Sequence, residues 1–226
     1  MCGRFTLKTD PDTLTETFPG FIMPENLPPR YNIAPTQEVA VVPNTDENKV
    51  EFFQWGLIPS WAKDPAIGNR MINARVETLA EKPAFRTAYK RRRCLILADG
   101  FYEWRQELGS KLKTPMYIQL QSGEPFAFAG LWESWRPKEE DTPILSCTLI
   151  TTEPNSLIEN IHRRMPVILS HDAYEQWLDV NEQPPDVLSE LLTSYPAEGM
   201  RAYPVSRLVN HPKNDSPACI LPAGSS

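Results

Sequence analysis

The chain is 226 residues long, 41% hydrophobic and 23% charged, with a formal net charge of −6. Those are the proportions of an ordinary globular protein with enough chain to bury a core, and no apolar run approaches the ~18 residues of a membrane span. No apolar signal core opens the sequence, so a cytoplasmic protein is expected. Four widely spaced cysteines without a CxxC pair argue for reduced thiols over a zinc site or redox dithiol.

The first block, MCGR, puts a cysteine directly behind the initiator methionine. Trimming of Met1 would leave Cys2 with a free amine and a thiol on one residue. PDTLTETF follows as a helix candidate, then the proline clusters PENLPPR and IAPTQ, which favour stiff turns over long helices. EVAVV and KVEFFQW read as strands, and WGLIPSW and MINARVET carry polar residues among apolar ones. KPAFRTAYKRR reads as a helix, and CLILA, FYEWRQ, PMYIQLQ and FAFAGLW as strands bounded by turn residues. RPKEEDTP suits an exposed loop before the strand ILSCTLIT. EPNSLIENIH is predicted as a helix, MPVIL as a strand, and SHDAYEQWL and PPDVLSELLTS as helices, the last with prolines suited to a first turn. Strands and helices do not alternate regularly, so a doubly wound parallel sheet is not expected. The pattern fits an α+β fold: one compact domain over residues 1–226, with a mainly antiparallel, barrel-like sheet flanked by short helices.

Charge is unevenly spread. Residues 61–105 hold ten Lys/Arg against five Asp/Glu, dominated by Arg86 and the run Lys90-Arg91-Arg92-Arg93. Such a run is either a nucleic-acid contact or a solvated helix end, where cations favour the C-terminal dipole.

Glu103 lies between Tyr102 and Trp104 in a strand, so Phe101, Glu103 and Arg105 share one face. A carboxylate among aromatics is desolvated and suited to proton transfer; an exposed strand Glu beside Arg105 is the plainer alternative. His162 precedes Arg163 and Arg164, whose charges would keep its imidazole neutral near pH 7, unless it only caps a helix end. His171 and His211 sit at a helix start and in a turn and read as structural. Asn73, in MINAR, offers an amide with two donors and an acceptor. Trp55 and Trp61 bracket Gly56 and Pro59, and either is more often core than a base-stacking platform.

Taken together and in order, MCGR, WGLIPSW, NARVET, DGFYEW, HRRMP and VSRLVNHPKND resemble the SRAP family of SOS response-associated peptidases, or abasic site processing proteins. The resemblance runs from residue 2 to about residue 214. It implies a positively charged groove for single-stranded DNA and a covalent crosslink to abasic sites through a thiazolidine on the N-terminal cysteine. It also implies lyase-type Schiff-base chemistry and self-processing that exposes Cys2. By matching motifs, Cys2, Asn73, Glu103 and His162 would form the catalytic site. Arg4, Arg75, Arg86 and Arg164 would hold phosphates, and Trp61 would wedge against bases. No metal or other cofactor is implied, the partner is single-stranded DNA bearing abasic sites, and a monomer associated with the nucleoid when on DNA is expected. Two other classes compete. One is an N-terminal-nucleophile hydrolase, which also begins Met-Cys-Gly. The other is a non-catalytic single-strand-binding module built on the 86–93 basic stretch.

Overall fold

The computed structural model describes residues 2–107, 109, 112–137 and 142–224. In chain order its strands and α-helices are β1 (Phe5–Leu7), α1 (Pro11–Thr17), β2 (Arg30–Ile33), β3 (Glu38–Pro43), β4 (Glu51–Trp55), β5 (Asn73–Arg75), α2 (Arg86–Arg91), β6 (Arg93–Ala98), β7 (Gly100–Gln106), β8 (Lys113–Leu120), β9 (Phe126–Trp135), β10 (Ile144–Thr152), β11 (Met165–Pro166), β12 (Ile168–Leu169), α3 (Tyr174–Leu178), α4 (Pro185–Ser189) and β13 (Met200–Pro204). No helix among the described residues is long and apolar enough to cross a membrane.

Strands β10, β4, β3, β6 and β9 form a closed ring, because β9 pairs with β10 as well as with β6. Every junction is antiparallel except β10 with β4. Closure leaves no free edge among these five strands. The whole of β6 is buried, since one face lines the barrel and α3 covers the other, with Trp177 Nε1 donating to the Cys94 carbonyl at 2.9 Å. Beyond the end of β4, β5 takes up the same edge of β10, also parallel, with Asn73 opposite Leu149 and Arg75 opposite Thr151.

The second sheet runs β13-β8-β7-β1-β2, all antiparallel. Alternation along β7 sorts its residues between two apolar clusters. Phe101 faces the main core, where Phe128 of β9 meets both it and Phe5 edge-on at ring separations of 6.0 and 5.8 Å. Each such ring removed from water contributes roughly 1.5–3 kcal/mol, so this contact welds sheet to barrel. Tyr102 faces the opposite way, into a smaller cluster with Tyr117, Val205, Val209 and Cys219. The C-terminal segment therefore closes the outer face of β7, and both faces of that strand are covered. Asp99 fixes the neighbouring turn by accepting from the Lys8 and Thr9 amides at 2.6 and 2.8 Å.

The barrel-like α+β reading is the observed fold, and most strand runs fall where alternation placed them. Three local expectations are corrected. EPNSLIENIH forms turns instead of a helix: Asn155 Oδ1 accepts from the Leu157 and Ile158 amides at 3.1 and 3.0 Å as an N-cap does, but successive turns follow it. MPVIL splits at Val167 into β11, paired with β10, and β12, paired with β9. Val167 itself bridges the two, donating to Ile150 O and accepting from Ala129 N, both at 2.9 Å. The basic run 90–93 is a solvated helix end only in part: Lys90 and Arg91 lie in the last turn of α2 with side chains 44% and 62% exposed, whereas Arg92 and Arg93 turn inward. Arg91 pairs with Glu182 and Arg92 with Glu133, each at 2.6 Å. Arg93 is fully buried and donates to the carbonyls of Lys90, Trp177 and Asp179. Half of the loop RPKEEDTP, residues 138–141, lies outside the described residues.

One glycine pair sets the path into the site. Gly56 has φ +129°, and a Cβ there would stand 2.7 Å from Gly68 O; a Cβ on Gly68 would stand 2.6 Å from Gly56 O. Two backbones thus touch in the segment that leads to Asn73. Gly56→Ala is expected to cost roughly 2–4 kcal/mol of stability, from the strained φ and the backbone clash together, read as a lowered midpoint in urea unfolding.

Candidate active site around Cys2

The N-terminal segment runs beside β7, with the Tyr102 amide donating to Arg4 O at 2.9 Å. That places Cys2 near Glu103. From the barrel side, β5 brings Asn73, whose Nδ2 donates to the Cys2 carbonyl at 2.8 Å. His162 arrives on the turn between β10 and β11, its Nδ1 3.9 Å from Glu103 Oε1. Residues distant in sequence, carried by the N-terminal strand, the barrel edge, the second sheet and a barrel loop, thus converge on one point. The structure brings together all four residues read from the motifs.

Each is electrostatically distinct. Glu103 is only 2% exposed, which removes the surface-glutamate alternative. Desolvation pushes its carboxyl up to about 7, against the pull of Lys113 and the Trp104 amide. The Cys2 thiol is fully buried; burial first, and then the Glu103 charge, push its pKa well above the ordinary thiol range. His162 is shifted down, chiefly by burial and then by surrounding positive charge that includes Arg163 and Lys113. Asn73 keeps its Oδ1 buried with no hydrogen-bond partner among the described residues, an acceptor left open beside Cys2. The arrangement offers a nucleophile, a carboxyl poised near neutrality, a neutral imidazole and an amide. Among the described residues no group of three or more His, Cys, Asp or Glu is placed to hold a metal ion.

The other residues read from the sequence are placed less uniformly. Arg75 and Arg86 are exposed, the first on β5 two residues from Asn73. Trp61 is 58% exposed on the segment shaped by the glycine pair. Trp55, by contrast, is buried and donates to Ile72 O at 2.9 Å, so it is a core residue. Arg4 is turned to the C-terminal segment, donating Nη1 to Asn32 Oδ1 at 3.0 Å and to Val209 O at 2.7 Å. Arg164 forms a two-point pair with Glu77 at 2.5 and 3.0 Å, with Nη2 also on Thr151 O. Both guanidiniums therefore already have protein acceptors.

Sequence reasoning missed Asn32 and Glu77. Asn32 is fully buried; it accepts from Arg4 and donates to the carbonyls of Val209, His211 and Asn214. It ties the VSRLVNHPKND block to the strand that follows Cys2. No local pattern marks such a residue, because all its partners lie over 170 positions away or at the N-terminus. Glu77 stood in NARVET, and its signal was the block itself.

The sequence profile described as SOS response associated peptidase (SRAP) matches residues 1–212. The abasic site processing protein YoqW of Bacillus subtilis (strain 168) is 49% identical over 223 residues, 97% of this chain and 99% of that protein. The abasic site processing protein HMCES of Gallus gallus is 34% identical over 200 residues, 79% of this chain and 59% of that protein. A crystal structure of a protein from Bacteroides thetaiotaomicron superposes with a TM-score of 0.87 at 26% identity, over 98% of this chain and all of that one. A second, from Bordetella bronchiseptica, gives 0.77 at 25% identity, over 91% and 100%. On its sequence and on its fold, the chain belongs to the SRAP family.

Proposed function

We propose that this protein processes abasic sites in single-stranded DNA by trapping the open-chain sugar aldehyde on Cys2 after Met1 is removed. The observation that carries this reading is the convergence of Asn73, Glu103 and His162 on the residue that would become the N-terminus. The names of the relatives, abasic site processing proteins, support it.

Met1 loss is hydrolysis of one amide and leaves an amine on Cys2. A terminal amine of pKa about 7.7–8.0 is partly unprotonated near pH 7. The free amine attacks the aldehyde carbon, and loss of one water gives an imine. The thiol of the same residue then adds to that carbon while its proton passes to the imine nitrogen, closing a thiazolidine. Aldehyde and aminothiol thus yield ring plus one water, and tethering makes the second attack intramolecular. Burial keeps the thiol protonated, so the step needs a base at hand. Glu103, held near pKa 7, is that base. His162, neutral at working pH, accepts the hydroxyl proton of the closed sugar and relays it to the ring oxygen as the sugar opens, and the open Oδ1 of Asn73 accepts from the sugar or the amine. An imine left unclosed loses the C2′ proton, α to the imine carbon, and expels the phosphate from C3′, which cuts the strand 3′ to the lesion, a lyase side path. Exposed Arg75 and Arg86 meet phosphates, Arg4 and Arg164 back the same surface, and Trp61 stacks on bases.

The test is a denaturing gel of protein mixed with a single-stranded oligonucleotide carrying one abasic site. A shifted band that an undamaged oligonucleotide does not give is expected. No band from protein with a verified Cys2 terminus would reject the mechanism, and ammonia release from glutamine under those conditions would favour the hydrolase class instead.

A further inference from the structure

Glu77 is half-exposed, yet both of its oxygens are bound, and what they bind leads to His162. Arg164, with a side chain only 12% exposed, spans from Glu77 to Thr151 O on β10. The backbone amide of the same Arg164 donates to His162 Nδ1 at 3.1 Å. A backbone N–H only donates, so accepting this bond requires Nδ1 without a proton, which in a neutral ring leaves the proton on Nε2. The Arg164 carbonyl, 3.2 Å from Nδ1, takes over as acceptor only when that nitrogen gains a proton. Glu77 also lies four residues after Asn73, whose amide holds Cys2 O. Residues 73–77 therefore fix the site from two sides, Cys2 through Asn73 and His162 through Glu77 and Arg164.

We propose that Glu77 is a positioning residue: it clamps Arg164, and the clamped Arg164 backbone holds the His162 ring in one tautomer and orientation toward Cys2. The pair does not act as a brake that phosphate must displace. The two-point geometry, the third bond to Thr151 O and the burial of the Arg164 side chain describe a built-in strut. With respect to catalysis the proposal rests on the crosslinking function above.

Glu77→Ala removes both acceptor oxygens, and Glu77→Gln keeps the size and one oxygen. With ¹⁵N-histidine labelling, the 226-residue chain shows three imidazoles, from His162, His171 and His211. In Glu77→Ala the His162 nitrogens are expected to move from a single Nε2–H pattern toward tautomer averaging, with His171 and His211 unchanged. Glu77→Gln is expected to fall between. Crosslinking of the abasic oligonucleotide should slow on the order of tenfold or more in Glu77→Ala, with partial recovery in Glu77→Gln and no loss of binding to undamaged single-stranded DNA. An unchanged His162 spectrum, or faster crosslinking in Glu77→Ala, would overturn the proposal. Absence of crosslinking in the unmodified sequence would reject the function while the spectrum still decides the clamp.

Discussion

Cys2→Ser is expected to abolish the stable crosslink while leaving an imine that only borohydride reduction reveals. Serine keeps the α-amine, so attack on the aldehyde and loss of water proceed. The hydroxyl is a far weaker nucleophile than the thiol, and the oxygen ring it would form reopens readily. Stable adduct on a denaturing gel should fall on the order of a hundredfold or more, since the tethered second attack is what removes imine from equilibrium. The stalled imine is diverted to β-elimination, so strand cleavage 3′ to the lesion should rise in the same reactions. An unreduced crosslink of wild-type yield in Cys2→Ser would mean that the thiol takes no part.

Glu103→Gln is expected to slow crosslinking by roughly 10²–10⁴-fold, the usual scale for a general base. The pH profile is the sharper readout. With a carboxyl held at about 7, the rate in the unmodified protein should climb as pH rises through 7, and in Glu103→Gln the climb should move up to the range of the terminal amine, about 7.7–8.0. Stability moves the other way. Raising the folded-state pKa above the ordinary carboxylate value means the fold favours the protonated form. Its stabilising effect is full below about pH 4.5 and is lost as pH rises through 7. Near pH 8 the ionised carboxylate costs the fold about 3 kcal/mol, so Glu103→Gln should unfold at higher urea there and lose that advantage at pH 4. A variant that is both slower and more stable is the expected mark of a site built at the expense of stability.

How far the sequence reaches is shown by particular residues. Alternation along FYEWRQ correctly separated Phe101 and Glu103 from Tyr102 and Trp104, because strand geometry is local. It left open whether Glu103 is buried, since that depends on the barrel packing over one face of β7. The strands β1, β2, β5 and β13 escaped the strand reading, being short segments held by long-range pairing, such as Phe5 with Phe101 and Met200 with Leu120. The inward half of the basic run was hidden for the same reason. Arg92 pairs with Glu133, and Arg93 donates to the carbonyls of Trp177 and Asp179, all far along the chain. The four candidate residues that converge were legible as motif blocks in order, while Asn32 and Glu77 bond to partners that no spacing announces.

The most direct measurement is the mass of the DNA-linked N-terminal peptide after the protein has reacted with an abasic oligonucleotide and both have been digested. The expected species begins at Cys2, lacks Met1, and carries the sugar-phosphate remnant with loss of one water, without any reducing agent. A remnant attached to a lysine, or to a peptide that still carries Met1, would contradict a Cys2 thiazolidine and the reading of the site built on it.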